Sequence, residues 1–279
     1  MISIIIPAHN EGSVIARTLG SVLRGADQDE LDVIVICNGC SDDTASVASK
    51  FSPTVRVLET STASKIAALN LGDQAARSFP RIYLDADVTI TIDTVRAISE
   101  RLQNGVLLAA PTPAFDLNGC SWPVRAYYAL RARLPSARQG VGGSGVYALS
   151  EQGRARFGAF PDVVADDTYV RLQFAPSERE TIRSLTSTVY APRTVRHLTQ
   201  VRTRTYYGTK ELQRRFPGIF RNSDSANHQT LLGLAANPRH WLGLSIYLWV
   251  NAVARFRAHA ALRRKAFQWH HDQSSRSAS

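Results

Sequence analysis

The sequence predicts an α/β fold in which a mixed, mostly parallel sheet is flanked by helices. Short apolar runs at residues 3–6, 32–37 and 81–84 alternate with segments whose apolar residues recur at helical spacing. Continuous apolar runs of this length are typical of parallel strands that are buried on both faces. Strands that alternate with helices favour a parallel sheet with helices packed against it.

Each element of this fold has its own signal in the sequence. The predicted elements are a strand at 3–6, a helix at 14–23, strands at 32–37 and 55–58, a helix at 64–76 and a strand at 81–84. Polar clusters follow three of the strands, at residues 7–11, 38–44 and 85–87. Ligands of open α/β sheets bind at the carboxyl ends of the strands, so these clusters mark the expected site.

Two carboxylates, Asp85 and Asp87, follow the predicted strand at 81–84. If the strand continues through them, both side chains point to the same face, because alternate residues of a strand share a face. Carboxylates this close repel each other unless a cation lies between them, and hard divalent cations prefer oxygen ligands. The pair therefore predicts a metal site. The alternative is a solvated turn at the end of a strand.

Four segments, in order along the chain, resemble the nucleotide-sugar signature of family 2 glycosyltransferases. They are residues 4–11, 38–44, 65–72 and 85–87. The resemblance continues through a glycine-rich segment and an acidic segment at 165–170, which are similar to the acceptor-side loop and the acidic motif of that family. It covers roughly residues 1–175 and implies the GT-A fold, a Rossmann-like sheet that binds a nucleoside-diphosphate sugar.

The resemblance implies roles in donor binding for eight residues. They are Pro7, Ala8, Asn10, Glu11, Asn38, Asp42, Lys65 and Asp85. Glu11 would accept hydrogen bonds from the ribose, and Lys65 would meet the diphosphate. Asn38 stands where the family usually has an aspartate, and an amide donates as well as accepts, so the identity of the base stays open. The alternatives are that Asn10 and Glu11 favour a helix N-terminus and that Lys65 is a solvated charge.

The same resemblance implies the catalytic machinery. Asp87 would bind a divalent metal, Mn²⁺ or Mg²⁺, which Asp85 would contact together with the ribose. Asp167, next to Asp166, would be the general base that deprotonates the acceptor hydroxyl, with inversion by single displacement. The acceptor-side loop would be Gly142, Gly143, Ser144 and Gly145. The alternative for the two adjacent aspartates is the acidic first turn of a helix predicted at 168–174.

Charge is distributed unevenly along the chain. Residues 191–279 hold 15 Lys and Arg against three Asp and Glu, whereas residues 1–190 hold 18 against 20. The basic character therefore belongs to the C-terminal third. We expect a catalytic domain at 1–190, with a nucleotide-sugar half at about 1–110 and an acceptor half at about 111–190. A basic helical extension at 191–279 would follow.

The C-terminal extension contains a mostly apolar run at 241–254. A helix of that length spans about 21 Å, which is short of a hydrocarbon core of about 30 Å. Aromatic residues beside cations suit a helix that lies on anionic lipid. The residues expected to insert are Trp241, Leu244, Leu248 and Trp249, and the cations are Arg255, Arg257, Arg263, Arg264 and Lys265. The alternative is a helix that packs on the catalytic domain.

These observations favour an inverting glycosyltransferase that moves one sugar to a hydroxyl acceptor, with a lipid-linked or cell-envelope glycan as the favoured acceptor. The predicted setting is the inner face of the cell membrane, because no secretory leader is recognised. The alternatives are a nucleotidyltransferase on a related sheet and a non-catalytic membrane-bound binding protein. Cys37, Cys40 and Cys120 are expected to be incidental thiols rather than a zinc site.

Nucleic acid is not an expected partner, since nothing in the chain resembles a nucleic-acid-binding fold. His197, Arg202 and Arg204 could bind a diphosphate or an anionic lipid-linked acceptor, or could form a solvated basic face. Together with nearby tyrosines they would also suit weak binding of RNA. The segment around Gln213 lacks the spacing of the Gln-x-x-Arg-Trp motif of processive family members, so transfer of a single sugar is expected.

Overall fold

The structure is a computed structural model that describes residues 1–224 and 227–264. Lys265 and the polar tail at 273–279 lie outside the described residues. The strands are β1 Ile2–Ala8, β2 Leu31–Asn38, β3 Val55–Thr60, β4 Arg81–Leu84, β5 Val88–Thr89, β6 Leu108–Asp116, β7 Val146–Leu149 and β8 Arg179–Tyr190. The helices are α1 Gly12–Leu23, α2 Thr44–Ser49, α3 Lys65–Ala75, α4 Ile92–Gln103, α5 Trp122–Arg131, α6 Glu151–Arg154, α7 Asp166–Leu172, α8 Val195–Arg215, α9 His228–Ala235 and α10 Trp241–Arg264.

The eight strands found in the described part of the chain form one mixed sheet in the order β3-β2-β1-β4-β7-β6-β8-β5. Strands β3, β2, β1 and β4 run parallel to their neighbours in that order, and β6 runs parallel to β8. Strand β7 is antiparallel to both β4 and β6. The predicted mixed, mostly parallel sheet with flanking helices is confirmed.

Strand β1 is buried along its whole length because helices cover both faces of the sheet. Ile4 and Ile6 pack in one apolar cluster with residues of α1 and α4, whereas Ile5 packs in the other with residues of α3. Gly72 lets α3 approach the sheet closely, since a Cβ atom there would lie 2.5 Å from the Ile5 side chain. The apolar runs of the sequence are thus strands with two buried faces.

Two predicted helices begin at other residues in the structure, and one inference about a strand fails. Helix α3 begins at Lys65, because the Ser64 side chain caps it by accepting from the Ala67 N–H. Helix α7 begins at Asp166, two residues before the predicted start, so both aspartates lie in its first turn. The prediction that Asp85 and Asp87 lie on a strand is wrong: β4 ends at Leu84, and the chain turns there towards β5 at the far edge of the sheet.

Helix α10 is longer than the apolar run that predicted it, since it continues to Arg264 and contains 24 residues. One face is buried against α5 and α8 through Val250, Asn251, Ala254 and Ala258. The opposite face exposes a row of large apolar side chains, which we call the apolar stripe: Trp241, Leu242, Leu248, Trp249 and Phe256. Leu244, expected to insert in lipid, is half-buried. Among the described residues, no helix combines the length and the apolar character that crossing a membrane requires.

A buried ionic network ties α3 to the sheet. Asp73 of α3 accepts hydrogen bonds from Arg81 and Tyr83 of β4 and from Arg154 of α6. Burial raises the pKa of Asp73, but the hydrogen bonds from Arg154, Tyr83 and Arg81 outweigh it and leave the pKa below its usual value. The carboxylate form therefore stabilises the folded protein.

We expect Asp73→Asn to lower the free energy of unfolding by about 3 kcal/mol at pH 7, since it leaves two buried guanidinium groups without their shared carboxylate. The folded-state pKa of Asp73 is lowered, so its contribution is present above the unfolded-state pKa of about 3.9 and is lost as the pH falls. Urea denaturation from pH 7 towards pH 3 should show the two proteins converging. Glu100→Gln, an exposed position on α4, is the control. A constant difference at every pH would contradict the assignment.

Candidate active site

A cleft opens at the carboxyl ends of β1 and β4 and at the amino end of β7. Five separate segments of the chain line it. Most of the site residues predicted from the sequence are among the lining residues. Its lining consists of Pro7, Lys65, Leu69, Tyr83, Leu84, Asp85, Gly142, Gly143, Ser144, Gly145, Val146, Tyr147, Asp166 and Asp167. The sheet edge expected to bind ligand is therefore the edge where the cleft lies.

Lys65 lies among the carboxylates of the cleft. Its Nζ atom lies 2.8 Å from Oδ1 of Asp85 and 3.3 Å from Oδ1 of Asp166. The ammonium group is held in place because Lys65 is the first residue of α3, and the Ser64 cap directs that helix into the cleft. Burial lowers the pKa of Lys65, but the carboxylates of Asp166 and Asp85 raise it above its usual value. Lys65 is therefore positively charged and ion-paired with two carboxylates. The alternative, that Lys65 is a solvated charge, is wrong.

Asp166 is the buried member of the acidic pair, with 6% of its side chain exposed. Burial raises the pKa of Asp166 to about 6, Lys65 opposes the rise, and the carboxylates of Asp167 and Asp85 add to it. Its Oδ2 atom has no hydrogen-bond partner among the described residues. Asp166 is thus a carboxylate that ionises only because Lys65 is beside it.

Asp167 points the other way, towards the glycine-rich loop. Its Oδ2 atom accepts a hydrogen bond of 2.7 Å from the Gly143 N–H, and its Oδ1 atom accepts one of 2.6 Å from the Thr168 N–H. Adjacent residues of a helix face in different directions, which separates the two carboxylates. Asp167 is half-buried and lines the cleft, so it remains within reach of a bound molecule.

The glycine-rich loop needs its glycines for close approach as well as for backbone conformation. Gly145 has φ +67°, and a Cβ atom there would lie 2.4 Å from Val88 and 3.1 Å from Oδ2 of Asp85. The Gly145 carbonyl also accepts from the Asp85 N–H at 2.7 Å. Ser144 is buried, and its hydroxyl lies within hydrogen-bond distance of the Gly140 and Val146 carbonyls. The loop is therefore built against the turn that carries Asp85.

The remaining predicted donor-binding residues lie next to Pro7, where β1 and β2 end, but do not line the cleft. Asn38 is buried, and its side-chain N–H donates to the Ala8 carbonyl at 2.9 Å. The Asn10 side chain accepts from the Ser41 N–H. Asp42 accepts from the Gly12 N–H. These side chains hold the two loops together. Because the Asn38 side chain donates through its amide nitrogen, its amide oxygen is the atom that remains to accept a hydrogen bond.

Asp42 and Glu11 have structural partners in this loop pair. Burial raises the pKa of Asp42, but hydrogen bonds from Thr44 and Gly12 lower it below its usual value. The Glu11 N–H donates to the Thr44 hydroxyl at 2.8 Å, and the Glu11 side chain is buried. None of the three cysteines forms a disulfide, and Cys37 and Cys120 are buried, as expected of incidental thiols.

Two tyrosines of the cleft wall escaped the sequence analysis. Tyr83 and Tyr147 stack with ring centroids 5.0 Å apart. The Tyr147 hydroxyl is buried and has no partner among the described residues. Burial and the nearby Asp166 carboxylate raise the pKa of Tyr147 well above its usual value. Its place on the strand that directly follows the glycine-rich loop is the signal that could have found it.

The carboxylates fit a divalent cation that binds together with a phosphate group. Among the described residues, no cluster of three His, Cys, Asp or Glu side chains could hold a metal ion. Mg²⁺ commonly uses only one or two carboxylates and completes its coordination with substrate phosphates and water. Asp85 lines the cleft with 37% of its side chain exposed, and Asp87 follows in the same turn outside the lining.

The sheet order and the flanking helices are those of the GT-A fold, and the cleft lies at the carboxyl edge of the sheet. The family model described as Glycosyl transferase family 2 matches residues 3–139. The matched region covers just under half of the chain and contains Lys65, Asp85 and Asp87. A sequence comparison with curated proteins gives no match.

Solved structures with a similar fold include three that contain a nucleotide or a nucleotide sugar. A mannosyltransferase from Pyrobaculum calidifontis, in complex with GDP-Man and Mn²⁺, is 20% identical with a TM-score of 0.62 over 95% of this chain and 76% of its own. S. aureus TarS 1–349 with UDP-GlcNAc is 12% identical, with a TM-score of 0.54 over 95% and 92%. Glucosyl-3-phosphoglycerate synthase from Mycobacterium tuberculosis, with Mn²⁺, UDP and product, is 22% identical, with a TM-score of 0.54 over 77% and 79%.

We expect Lys65→Gln to lower the free energy of unfolding by about 2 kcal/mol, because it leaves Asp166 buried without its cation. In an Asp166→Asn background the same change should cost less, by about 1 kcal/mol or more, since the unpaired charge is then absent. A double-mutant cycle in urea measures this coupling. Additive effects of the two substitutions would show that the ion pair does not stabilise the cleft.

Proposed function

We propose that the chain is an inverting, metal-dependent glycosyltransferase that moves a single sugar from a nucleoside-diphosphate donor to an acceptor hydroxyl. The observation that carries the proposal is the meeting of Lys65, Asp85 and the Asp166–Asp167 pair in one cleft. The family match supports a sugar transferase, and the three structural neighbours are complexed with GDP-Man, UDP-GlcNAc or UDP. Release of nucleoside diphosphate from a panel of donor sugars, with and without Mn²⁺, tests the proposal directly.

The donor would bind across the carboxyl ends of β1 and β4. Pro7 lines the cleft and would contact the nucleoside, and Asp85 would contact the ribose or a metal ion. Lys65 is ion-paired with Asp85, so the diphosphate would meet a cation that is already oriented. A divalent cation held by Asp87 and Asp85 would offset the negative charge that develops on the leaving diphosphate.

Asp167 is the general base in this proposal. Its two hydrogen bonds from backbone N–H groups orient the carboxylate beside the glycine-rich loop, and it lines the cleft together with Pro7. Asp166 is buried and tied to Lys65, so it is poorly placed to take a proton from an acceptor. A single base and a direct attack on the anomeric carbon invert its configuration.

We expect Asp167→Asn to lower the chemical rate by about 10²-fold or more while donor affinity stays nearly unchanged, because a general base acts in the transition state. Asp166→Asn is the matched control, since it makes the same change one residue away. Single-turnover rates and nucleotide titration separate the two effects. A larger loss of rate in Asp166→Asn than in Asp167→Asn would move the role of the base to Asp166.

The metal role predicts that Asp87→Asn abolishes turnover and weakens donor binding only when Mn²⁺ or Mg²⁺ is present. The reason is that the carboxylate acts on the diphosphate through the cation. Donor affinity measured with and without a chelator gives the readout, and Asp93→Asn, an exposed aspartate on α4, is the control. Full activity of the wild-type protein in the presence of the chelator would remove the metal from the proposal.

The proposal includes peripheral attachment to an anionic membrane through α10. The apolar stripe lies opposite the face that packs on α5 and α8, so it is available to lipid. Four exposed arginines continue the same helix: Arg255, Arg257, Arg263 and Arg264. Apolar insertion and attraction to anionic lipid would act together, with neither sufficient alone. In this proposal α10 packs on the protein with one face and contacts lipid with the opposite face. The sequence had left packing and lipid contact as alternatives.

In flotation with liposomes that contain phosphatidylglycerol, we expect neutralisation of Arg255, Arg257 and Arg263 to release most of the protein. Each cation near such a surface contributes about 1 kcal/mol at low salt. The variant with serine at Leu248 and Trp249 should also fail to float.

The matched control is glutamine at Arg24, Lys50 and Arg183, which removes three exposed charges far from α10 in the sequence. The control should float like the wild-type protein. Equal loss in the control and in the α10 variant would mean that net charge, and not this helix, attracts the membrane.

A further inference from the structure

Three arginines meet between the C-terminal helices without an acidic partner. Arg131 comes from the last turn of α5, Arg202 from α8 and Arg255 from α10. The guanidinium groups of Arg202 and Arg255 both lie 5.0 Å from the ring centroid of Tyr206. That of Arg131 lies 4.7 Å from Phe115 and 5.8 Å from Tyr128. Aromatic faces attract cations but do not neutralise their charge.

No carboxylate in the described part of the chain forms an ion pair with Arg131, Arg202 or Arg255. Between positions 191 and 264 the sequence has only two acidic residues, Glu211 and Asp224. Glu211 pairs with Arg215, and Asp224 pairs with two arginines of other elements. Burial and the positive charge of Arg202 lower the pKa of Arg131. For Arg202, burial lowers the pKa but Tyr127 and Tyr206 raise it above its usual value. The repulsion between the two guanidinium groups is therefore felt at Arg131.

Polar and aromatic side chains lie next to the arginines. Asn251 accepts from Arg202 Nε at 3.3 Å and from the Tyr206 hydroxyl at 2.7 Å, which fixes the orientation of both groups. The Tyr127 ring stacks on Tyr247 with centroids 5.2 Å apart. The Tyr127 hydroxyl is fully buried, yet it has no hydrogen-bond partner among the described residues. A buried hydroxyl without a hydrogen-bond partner, near arginines without an acidic partner, indicates that this place suits an anion.

We propose that Arg131 and Arg202, with the Tyr127 hydroxyl, form a binding site for a phosphate group. The planar fork of a guanidinium group matches two oxygens of a phosphate, and a charge-assisted bond of this kind is among the strongest available. Both arginines are half-buried, so a ligand can reach them while water is partly excluded. Arg255, on the exposed side, would add attraction at longer range.

Helix α8 links the site to the segment that carries the acidic pair. Gly208 of α8 lies against Ala165, where a Cβ atom would come within 2.7 Å of the Ala165 Cβ. Ala165 is the residue that precedes Asp166. Arg202 is six residues before Gly208, about 9 Å along the helix axis.

Thermal unfolding at constant ionic strength tests the site, because a ligand that binds only the folded protein raises the Tm. The probes are inorganic phosphate and dihexanoyl phosphatidic acid, each compared with chloride. We expect the wild-type protein and Arg214→Gln, an exposed charge change on α8, to respond alike. The double variant R131Q/R202Q should bind the probe at least tenfold more weakly, although it removes a repulsion and should fold.

Tyr127→Phe is a second variant, which tests the site without the risk that the protein fails to fold. The hydroxyl has no partner, so its removal should leave the Tm without phosphate unchanged, yet weaken the response to phosphate. A response to inorganic phosphate assigns the site to a soluble phosphate group, and a response to phosphatidic acid alone assigns it to a lipid headgroup.

The inference is overturned if R131Q/R202Q responds as Arg214→Gln does, or if neither probe raises the Tm of the wild-type protein. The assay measures binding without any donor sugar, so its outcome is independent of the proposed transfer reaction. Anions attracted by Lys65 contribute equally to every variant and cancel in the comparison.

Discussion

The contact of Lys65 with Asp85 and Asp166 is the interaction on which the cleft depends. It joins three segments that are far apart in sequence: the start of α3, the turn after β4 and the first turn of α7. Without the ammonium group, Asp166 would be buried near the carboxylates of Asp167 and Asp85 with no cation beside it, which would raise its pKa further. The lysine thus allows Asp166 to ionise, and it supplies a positive charge that a phosphate would meet there.

Close backbone packing sets the geometry around this ion pair. Gly145 touches Asp85 and Val88, and Gly208 touches Ala165, each at a distance that leaves no room for a side chain. The Gly143 N–H then reaches Asp167. Glycine serves here mainly to bring chain segments together, so the positions of the carboxylates follow from contacts made by residues that carry no functional group.

Helix α8 connects the cleft to the C-terminal helices. Its Gly208 and Glu211 contact the segment that leads into α7, whereas Arg202 and Tyr206 lie earlier on the helix, beside α5 and α10. Helix α8 therefore links the segment that carries Asp166 and Asp167 to the helices that carry the arginines and the apolar stripe.

The sequence by itself determined the alternation of strands and helices, the polar clusters at strand ends and the motifs that resemble those of family 2 glycosyltransferases. These features are local, since periodicity and short motifs depend on neighbouring residues. Only the tertiary structure decided that Asp166 is buried on Lys65 while Asp167 faces Gly143, that Asp85 lies in a turn, and that Asn38 holds Ala8. Such side-chain partners come from segments tens of residues away, and no local pattern encodes which of them will meet. The length and two faces of α10 were decided in the same way, by its packing against α5 and α8.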